Sequence, residues 1–347
     1  FSNEIKHLSI EHHSVCNLRC TYCSEIYYGG KRSKYNVVEF IEYLNSSGSF
    51  KNCKQVVWGG GEPTLDKSFD LIIKEIEKNA NPNLYHRVFT NSTRYHKTIE
   101  ELLKKGLIKI VTSVDAGTKE KFKEVRGRDK FEELFVNLKK YSSADPNRVT
   151  IKYILTEENL SESELISFVN KCVEFNLTEC NFQISMNYKN KDLNLDFLKA
   201  LLFLMGLLKR HKIYKFFTDD HVSARFRELN EENKSQIFKF IDEKNLNNVV
   251  FVKDTFEKIN IYGAGDIAEN IILKNMLKFD KNNIEIYDGD PNKIGKLIGG
   301  IKIKNPEEIK RNNNKIYISA AQSYDDIYSN LLNMNISDNR IVSGLFL

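Results

Sequence analysis

Short β-rich segments alternate with amphipathic helical segments through the first 190 residues, and this alternation restricts the possible fold more than any other feature. The predicted strands lie at 5–12, 55–59, 86–91, 108–115, 149–156 and 180–187. The predicted helices lie between them, at 37–45, 67–79, 96–105, 118–125, 131–141 and 162–175. Strands that are joined through helices form parallel sheets with right-handed crossovers. Six such units predict an α/β fold with a partial (β/α)6 barrel over residues 1–190.

The rest of the chain divides into two regions of different character. Residues 191–256 are rich in charge and in helix formers, and we predict a helical connector there. Its longest apolar run, FLKALLFLMGLL, contains Lys199 and is shorter than the roughly 20 apolar residues of a membrane span. It predicts a buried helix and no membrane association. From residue 257 a strand, a glycine-rich turn and a helix follow, which predicts a small Rossmann-like doubly wound domain over 257–347.

The balance of charge and the use of cysteine narrow the class of protein. Of the 347 residues, 52 are basic and 47 are acidic, so the net charge of +5 is too small to indicate a nucleic-acid partner. The six cysteines, three of them within eight residues, do not suggest a disulfide framework in a chain of this length. They favour a reducing compartment, the cytoplasm, and a metal site at the clustered three.

The clustered cysteines lie in VCNLRCTYCSE, where Cys16, Cys20 and Cys23 have C-x3-C-x2-C spacing. Disulfide pairing would leave one of the three unpaired. A structural zinc ion takes four ligands, usually as two separated pairs, and His12 or His13 is a candidate for a fourth. Iron–sulfur clusters are usually held by four cysteines. Three cysteines would leave one iron open to a ligand from outside the protein, just as catalytic zinc sites keep one position open.

A second motif ends the second predicted strand, where WGGGEPTL contains Gly60, Gly61, Glu62 and Pro63. Glycines let the backbone approach a ligand closely. The cysteine spacing and this GGEP motif together resemble those of the radical S-adenosylmethionine (radical SAM) superfamily. The resemblance implies that the three cysteines hold a [4Fe–4S] cluster whose fourth iron binds the amino and carboxylate groups of SAM. One electron from the reduced cluster then cleaves SAM, and the resulting 5′-deoxyadenosyl radical abstracts a hydrogen atom from the substrate.

The resemblance also implies where SAM is bound. Besides the GGEP residues, the implied contacts come from the cysteine loop and the strand ends, at Tyr22, Asn91, Ser113, Asp115 and Arg126. Tyr22 occupies an aromatic position that lies near the adenine in relatives. Ser113 and Asp115 are candidates for the ribose hydroxyls or the methionyl part, and the Arg126 guanidinium suits the SAM carboxylate. The segment departs from the family pattern at Ala116, where glycine is often found.

The other three cysteines are expected to be structural. Cys53 precedes the second predicted strand, Cys172 lies within a helix and Cys180 opens the sixth strand. Ligands of such barrels gather at the carboxyl ends of the strands, so these positions do not indicate an auxiliary cluster. Buried free cysteines are the simpler interpretation. No residue is singled out as catalytic beyond the cofactor ligands.

The terminal domain carries its own motif, IYGAGDIAENI, in which Gly263, Gly265 and Ala268 have G-x-G-x-x-A spacing between a strand and a helix. Asp288 ends the next strand, where an acidic residue would bind a ribose in the dinucleotide fingerprint. The unit resembles domains of NADH-binding repressors, CoA-binding proteins and sugar C-methyltransferases. Nucleotide binding at Gly263, Gly265 and Asp288 is one interpretation, and a packing or substrate-recognition module without a nucleotide is the other.

These features predict a radical SAM enzyme that acts on a small molecule. The expected substrate is a sugar or nucleotide-linked sugar of surface polysaccharide biosynthesis, and a ribosomally made peptide is the alternative. An external reductant such as flavodoxin or ferredoxin is implied. A zinc- or nucleotide-binding regulator is the non-enzymatic alternative, which leaves the GGEP motif unexplained.

Overall fold

The computed structural model describes residues 4–78, 81, 84–187, 189, 194–219, 222, 229–251, 258–269 and 280–346. The chain divides into two compact units. One comprises Phe1–Asn181 with Asn187–Lys189, and the other comprises Phe182–Met186 with Asn190–Leu347. The finer division into barrel, connector and terminal domain stays a prediction.

The first sheet has seven parallel strands in chain order. They are β1 (His7–Ile10), β2 (Gln55–Trp58), β3 (Tyr85–Phe89), β4 (Ile108–Ser113), β5 (Val149–Leu155), β6 (Asn181–Met186) and β7 (Phe216–Thr218). The predicted α/β class and strand–helix alternation are confirmed. The seventh strand lies in the region predicted as a helical connector. The sequence did not predict it, because three residues are too few to show an alternating pattern.

Ten α-helices have bounds in the described parts of the chain. They are α1 (Glu25–Tyr28), α2 (Val37–Ser46), α3 (Phe69–Glu77), α4 (Lys97–Lys104), α5 (Lys119–Arg126), α6 (Phe131–Ala144), α7 (Glu162–Glu174), α8 (Leu195–Arg210), α9 (Glu231–Lys244) and α10 (Tyr324–Asn333). Short 3-10 helices lie at Pro63–Leu65, Pro146–Arg148, Glu157–Asn159, Lys281–Asn283, Pro306–Arg311, Ala321–Ser323 and Asp338–Arg340. The apolar run predicted as a buried helix lies in α8 and is buried. Within the described residues, no helix combines the length and the apolar character needed to cross a bilayer.

The second unit contains a six-stranded mixed sheet and a two-stranded one. The larger sheet has the order β11 (Leu297–Ile298), β12 (Ile301–Lys304), β10 (Ile284–Tyr287), β9 (Ile259–Tyr262), β13 (Lys315–Ile318), β14 (Ile341–Val342). β8 (Val250–Phe251) pairs with β15 (Leu345–Phe346). Only β11 is antiparallel to its neighbour; the other five strands run parallel in the order 3-2-1-4-5 counted from β9. Doubly wound nucleotide-binding sheets have this order.

Strand register brings the predicted site residues to one edge of the first sheet. Ile10 of β1 is paired with Trp58 of β2, which is paired with Val88 of β3, which is paired with Ile110 of β4. Because parallel strands all point the same way, the segments that follow them emerge at the same edge. The cysteine loop follows β1 there, and the GGEP segment follows β2.

A buried histidine lies between two strands of this sheet. His86 of β3 has no exposed surface, and its Nδ1 accepts a hydrogen bond from Trp58 Nε1 at 3.1 Å. Its Nε2 has no hydrogen-bond partner, and the nearest carboxylate oxygen, Glu77 Oε1, is 3.9 Å away. Burial lowers the pKa of His86 from 6.5 to about 4, so the folded chain holds this ring neutral.

This burial predicts a pH-dependent stability. Between pH 6.5 and about pH 4 the unfolded chain protonates His86 and the folded chain does not. The free energy of unfolding should therefore fall as the pH drops through this window, by up to about 3 kcal/mol. Urea unfolding followed by the fluorescence of Trp58, the single tryptophan, measures it at pH 7 and pH 5. A His86→Gln variant should lose less stability than the parent over that step, and an equal loss would contradict the assignment.

Candidate functional site

The loop that follows β1 carries the three clustered cysteines. Cys16, Cys20 and Cys23 are half-buried free thiols. Burial raises the pKa of the Cys16 and Cys23 thiols, and a charge on Cys20 raises both further. The three sulfur atoms are therefore close enough to influence one another. The structure brings together the residues that the spacing predicted as metal ligands.

The GGEP segment supports this loop through the backbone. The Gly61 amide donates to the His13 carbonyl at 2.9 Å, and the Glu62 amide donates to the Val15 carbonyl at 2.7 Å. A Cβ atom at Gly61 would lie 2.3 Å from the Val15 oxygen, so only glycine permits this approach. Gly60 has a φ of +86°, a conformation that also favours glycine. The two glycines are thus needed for the fit between the two motifs.

The Glu62 carboxylate joins the ends of β2 and β3. Its Oε1 accepts hydrogen bonds from the Thr64 amide and hydroxyl and from the Thr90 hydroxyl, at 3.2, 2.7 and 2.8 Å. Its Oε2 accepts from the Asn91 amide at 2.6 Å. Burial raises the pKa of Glu62, while these hydrogen bonds oppose the rise. Pro63 follows as the first residue of a 3-10 helix. Both oxygens of the carboxylate are occupied within the protein.

Asn91 lies beside the first cysteine. Its Nδ2 donates to Asn17 Oδ1 at 2.7 Å and is 3.8 Å from Cys16 Sγ. Asn17 Nδ2 in turn donates to the Thr93 hydroxyl at 2.8 Å. Asn17 and Thr93 were not among the predicted site residues. Their signal in the sequence is weak, because asparagine and threonine are common wherever a strand meets a loop.

A buried ion pair joins Arg126, the last residue of α5, to Asp115 in the loop that follows β4. Arg126 and Asp115 are 4% and 0% exposed, and Arg126 Nη1 is 2.6 Å from Asp115 Oδ2. The Tyr22 hydroxyl donates to the same oxygen at 2.6 Å, and Arg126 also donates to Tyr22. Burial alone would lower the pKa of Arg126, but nearby Cys20, Tyr22 and Asp115 raise it, so the guanidinium stays charged.

The end of α5 also binds the backbone of the cysteine loop. The Arg19 and Thr21 amides donate to the carbonyls of Arg126 and Val125, at 3.0 and 2.9 Å. From outside this region Lys189 donates to the Thr21 carbonyl at 3.1 Å, a contact that the sequence did not indicate. The loop is therefore held on one side by GGEP and on the other by the end of α5.

Ser113 and Asp115 differ in whether their side-chain oxygens already have hydrogen-bond partners within the protein. Asp115 Oδ1 accepts from the Ile154 amide at 2.7 Å, so its carboxylate has three protein partners. Asp115 adopts a φ of +61°, which asparagine and aspartate tolerate better than most residues. Ser113, the last residue of β4, is half-buried, and its hydroxyl has no hydrogen-bond partner among the described residues. The predicted SAM contacts of both residues stay predictions.

The glycine-rich turn belongs to the second unit and is far from the cysteine loop in the sequence. Gly263 has a φ of +109°, and a Cβ there would lie 3.0 Å from the Ala320 side chain, whereas a Cβ at Gly265 would meet nothing within 4 Å. Asp288 Oδ2 accepts from the Ala264 amide at 2.7 Å and from Lys293 Nζ at 3.0 Å. Asp288 thus fixes the turn, and its predicted ribose contact stays untested.

Comparison with known proteins agrees with the geometry of the first unit. Residues 10–169 match the family model described as "Radical SAM superfamily". Residues 10–169 are therefore a radical SAM domain. Residues 255–342 match a second model, described as "C2185-like, N-terminal". A radical SAM domain supports an enzyme over the alternative of a non-enzymatic regulator.

Curated relatives match about half of the chain. The GTP 3′,8-cyclase of Mannheimia succiniciproducens is 27% identical over 172 residues, which are 49% of this chain and 50% of that protein. The chain thus spans about half the length of the curated relatives it matches. Streptococcus suis SuiB bound to S-adenosylmethionine matches with a TM-score of 0.52 at 17% identity, over 68% of this chain and 56% of SuiB. SuiB bound to the precursor peptide SuiA matches with a TM-score of 0.50 at 17% identity, over 68% of this chain and 55% of SuiB. At this identity the likeness shows the fold alone.

The residues of the cysteine loop fit the [4Fe–4S] cluster that the family implies. Thiolates are the usual ligands of such clusters. The loop supplies three of them, mutually close and half-buried, and no fourth cysteine stands in its sequence. Thiols whose pKa is raised by burial must lose their protons on ligation, so cluster binding releases protons.

The buried ion pair gives a testable prediction for this radical SAM enzyme. Asp115→Asn keeps the shape and backbone preference of the residue but leaves the Arg126 charge buried without a counter-charge. We expect a loss of about 3 kcal/mol in the free energy of unfolding, measured by urea with Trp58 fluorescence, and less iron per chain after anaerobic reconstitution.

The matched control is the ion pair between Lys119 and Asp129. Lys119 is the first residue of α5, and Asp129 lies just after the end of the helix. The paired atoms are 3.1 Å apart, and the two side chains are 56% and 47% exposed. Asp129→Asn should therefore cost less than about 1 kcal/mol and leave the iron content unchanged. Equal effects of the two substitutions would contradict the role given to Asp115.

Proposed function

We propose that this radical SAM enzyme abstracts a hydrogen atom from a nucleotide-linked sugar. One observation carries the proposal: the parallel strand order 3-2-1-4-5 in the second unit, with a glycine-rich turn at the carboxyl end of its first strand, β9. Doubly wound sheets with this order bind nucleotides at the corresponding turn. A radical SAM domain joined to such a unit suits a substrate that carries a nucleotide.

In this proposal the first unit binds both cofactors. Cys16, Cys20 and Cys23 are the ligands of the [4Fe–4S] cluster, which when bound supplies the electron that cleaves SAM. Gly60 and Gly61 let the GGEP segment pack closely against the loop. The Ser113 hydroxyl, which has no hydrogen-bond partner among the described residues, is the group best able to bind the SAM ribose.

The charged residues Asp115 and Arg126 serve to position the loop. The Asp115 carboxylate already has three protein partners, so a bond to ribose would replace one of them. Its contacts with Arg126 and Tyr22 instead hold the Tyr22 ring in place, which on our proposal borders the adenine. Asn91, 3.8 Å from Cys16 Sγ, orients the first cysteine.

In the second unit the nucleotide phosphates would bind at the turn from Gly263 to Asp266. The chain becomes helical at Asp266, and the amide groups at the start of a helix favour anions. The open space at Gly265 leaves room for a phosphate. The Ala264 amide is already bound by Asp288, so it takes no part in this contact.

The comparisons support a nucleotide more than a peptide. The GTP 3′,8-cyclases are named for a nucleotide substrate, although the likeness covers only half of each chain. SuiB was solved with a precursor peptide, but that likeness is one of fold. A peptide substrate is therefore the alternative that the assay below must exclude.

The test is the formation of 5′-deoxyadenosine from SAM by the anaerobically reconstituted full chain with dithionite. We expect one of a panel of nucleotide-linked hexoses to raise it above the background without substrate, while the corresponding free hexose does not. Gly265→Val, which fills the open space at the turn, should raise the KM for that substrate about tenfold or more and leave the background cleavage unchanged. No stimulation by any nucleotide-linked sugar, or stimulation by a peptide, would contradict the proposal.

A further inference from the structure

A pocket of about 360 Å³ in the first unit has no part in the site described so far. It lies beside the start of the cysteine loop. Its lining includes His12, His13 and Asp66 on the inner side, and Arg32 and Lys67 at the surface. The sequence analysis considered the two histidines only as zinc ligands.

His13 presents an unpaired hydrogen-bond donor. Its Nδ1 accepts a hydrogen bond from the Val15 amide at 3.1 Å, so the proton of the neutral ring is on Nε2. Burial, with His12 nearby, lowers the pKa of His13, which favours that neutral ring. The residue is 9% exposed, and Nε2 has no partner among the described residues. A buried donor without an acceptor costs about 1–3 kcal/mol, which a bound acceptor would recover.

His12 and Asp66 form a bonded pair beside it. His12 Nε2 is hydrogen-bonded to Asp66 Oδ2, and Asp66 Oδ1 accepts from the Ser68 amide at 2.9 Å. The hydrogen bond from His12 holds the pKa of Asp66 below its usual value, although burial acts in the opposite direction. His12 Nδ1 is buried and has no partner among the described residues.

The charges around the pocket are positive. Arg32 and Lys67 are exposed, and neither forms an ion pair with a described residue. Asn36 and Val37, the cap and first residue of α2, also line the pocket, so the positive end of a ten-residue helix faces it. Asp66, the one carboxylate in the described lining, already has hydrogen-bond partners in His12 and the Ser68 amide.

We propose that the pocket formed by His12, His13, Arg32 and Lys67, called here the anion pocket, binds the phosphate group of a second, phosphorylated ligand. It is distinct from the turn in the second unit to which the phosphates of the proposed nucleotide-linked substrate are assigned. Two cationic side chains and the Nε2 donor of His13 supply hydrogen bonds for several phosphate oxygens. Because the pocket adjoins the loop of the cysteines, a phosphate held there would lie close to that loop.

A metal ion is the competing occupant, since His12, His13 and Asp66 place one possible ligand atom each within 4.8 Å of one another. The hydrogen bonds argue against it. A histidine that binds a metal through one nitrogen usually donates a proton from the other. His13 does the reverse, because its Nδ1 accepts from Val15, and Nε2 therefore lacks a free lone pair.

The test is calorimetric titration of the full chain with inorganic pyrophosphate at constant ionic strength. We expect saturable binding, with orthophosphate weaker and acetate undetectable. Arg32→Ala, Lys67→Ala and His13→Asn should each weaken it about tenfold or more, the loss expected for a hydrogen bond to a charged group. Asparagine keeps an acceptor for the Val15 amide, and its shorter side chain leaves no donor at the position of His13 Nε2. Lys34→Ala, an exposed lysine two residues from Arg32, is the matched control and should change binding less than about twofold.

Several outcomes would overturn the anion pocket. They are the absence of saturable pyrophosphate binding, binding that the three variants leave unchanged, and acetate binding as tight as that of pyrophosphate. Tight Zn²⁺ binding that is lost in His12→Ala and His13→Asn would assign the pocket to a metal instead. The titration needs neither SAM nor reductant. Pyrophosphate binding without any stimulation of SAM cleavage by nucleotide-linked sugars would therefore reject the proposed substrate and leave the pocket standing.

Discussion

The buried ion pair between Arg126 and Asp115 holds the cofactor site in place. It joins the end of α5 to the end of β4, and Tyr22 brings the cysteine loop into the same network. A guanidinium that is 4% exposed is stable only beside its counter-charge. The carbonyl of Arg126 then binds the loop backbone through Arg19. Breaking this pair would weaken one of the two supports of the loop that carries the three cysteines.

The alternation of strands and helices was predictable, because β4, β5 and β6 are mostly buried and the longer helices between the strands bury one apolar face. β7 was not, since its three residues carry no periodic signal and its position depends on pairing with β6. For the second sheet, the sequence predicted a doubly wound class of fold but not the order of the strands. Which strands are neighbours there is decided by crossovers that no local pattern records.

The site was predictable where chemistry depends on residue type and spacing, as for Cys16, Cys20, Cys23 and the GGEP glycines. The site was less predictable where the role of a side chain depends on its hydrogen-bond partners. The positions of Asp115 and Asp288 suggested ligand contacts, yet both carboxylates are bonded within the protein. Partners far along the chain, such as Lys189, and the unpaired nitrogen of His13 become visible only when the loops are placed together.

On the proposed function, the three cysteines, GGEP and the ion pair form a loop that holds an iron–sulfur cluster with one iron left open for SAM. Electron paramagnetic resonance of the reduced, anaerobically reconstituted chain tests this most directly. We expect a signal from a reduced [4Fe–4S] cluster that changes when SAM is added, and we expect Cys20→Ala to abolish it. A chain that binds no iron, or a signal that SAM leaves unchanged, would contradict an open iron held by these three residues.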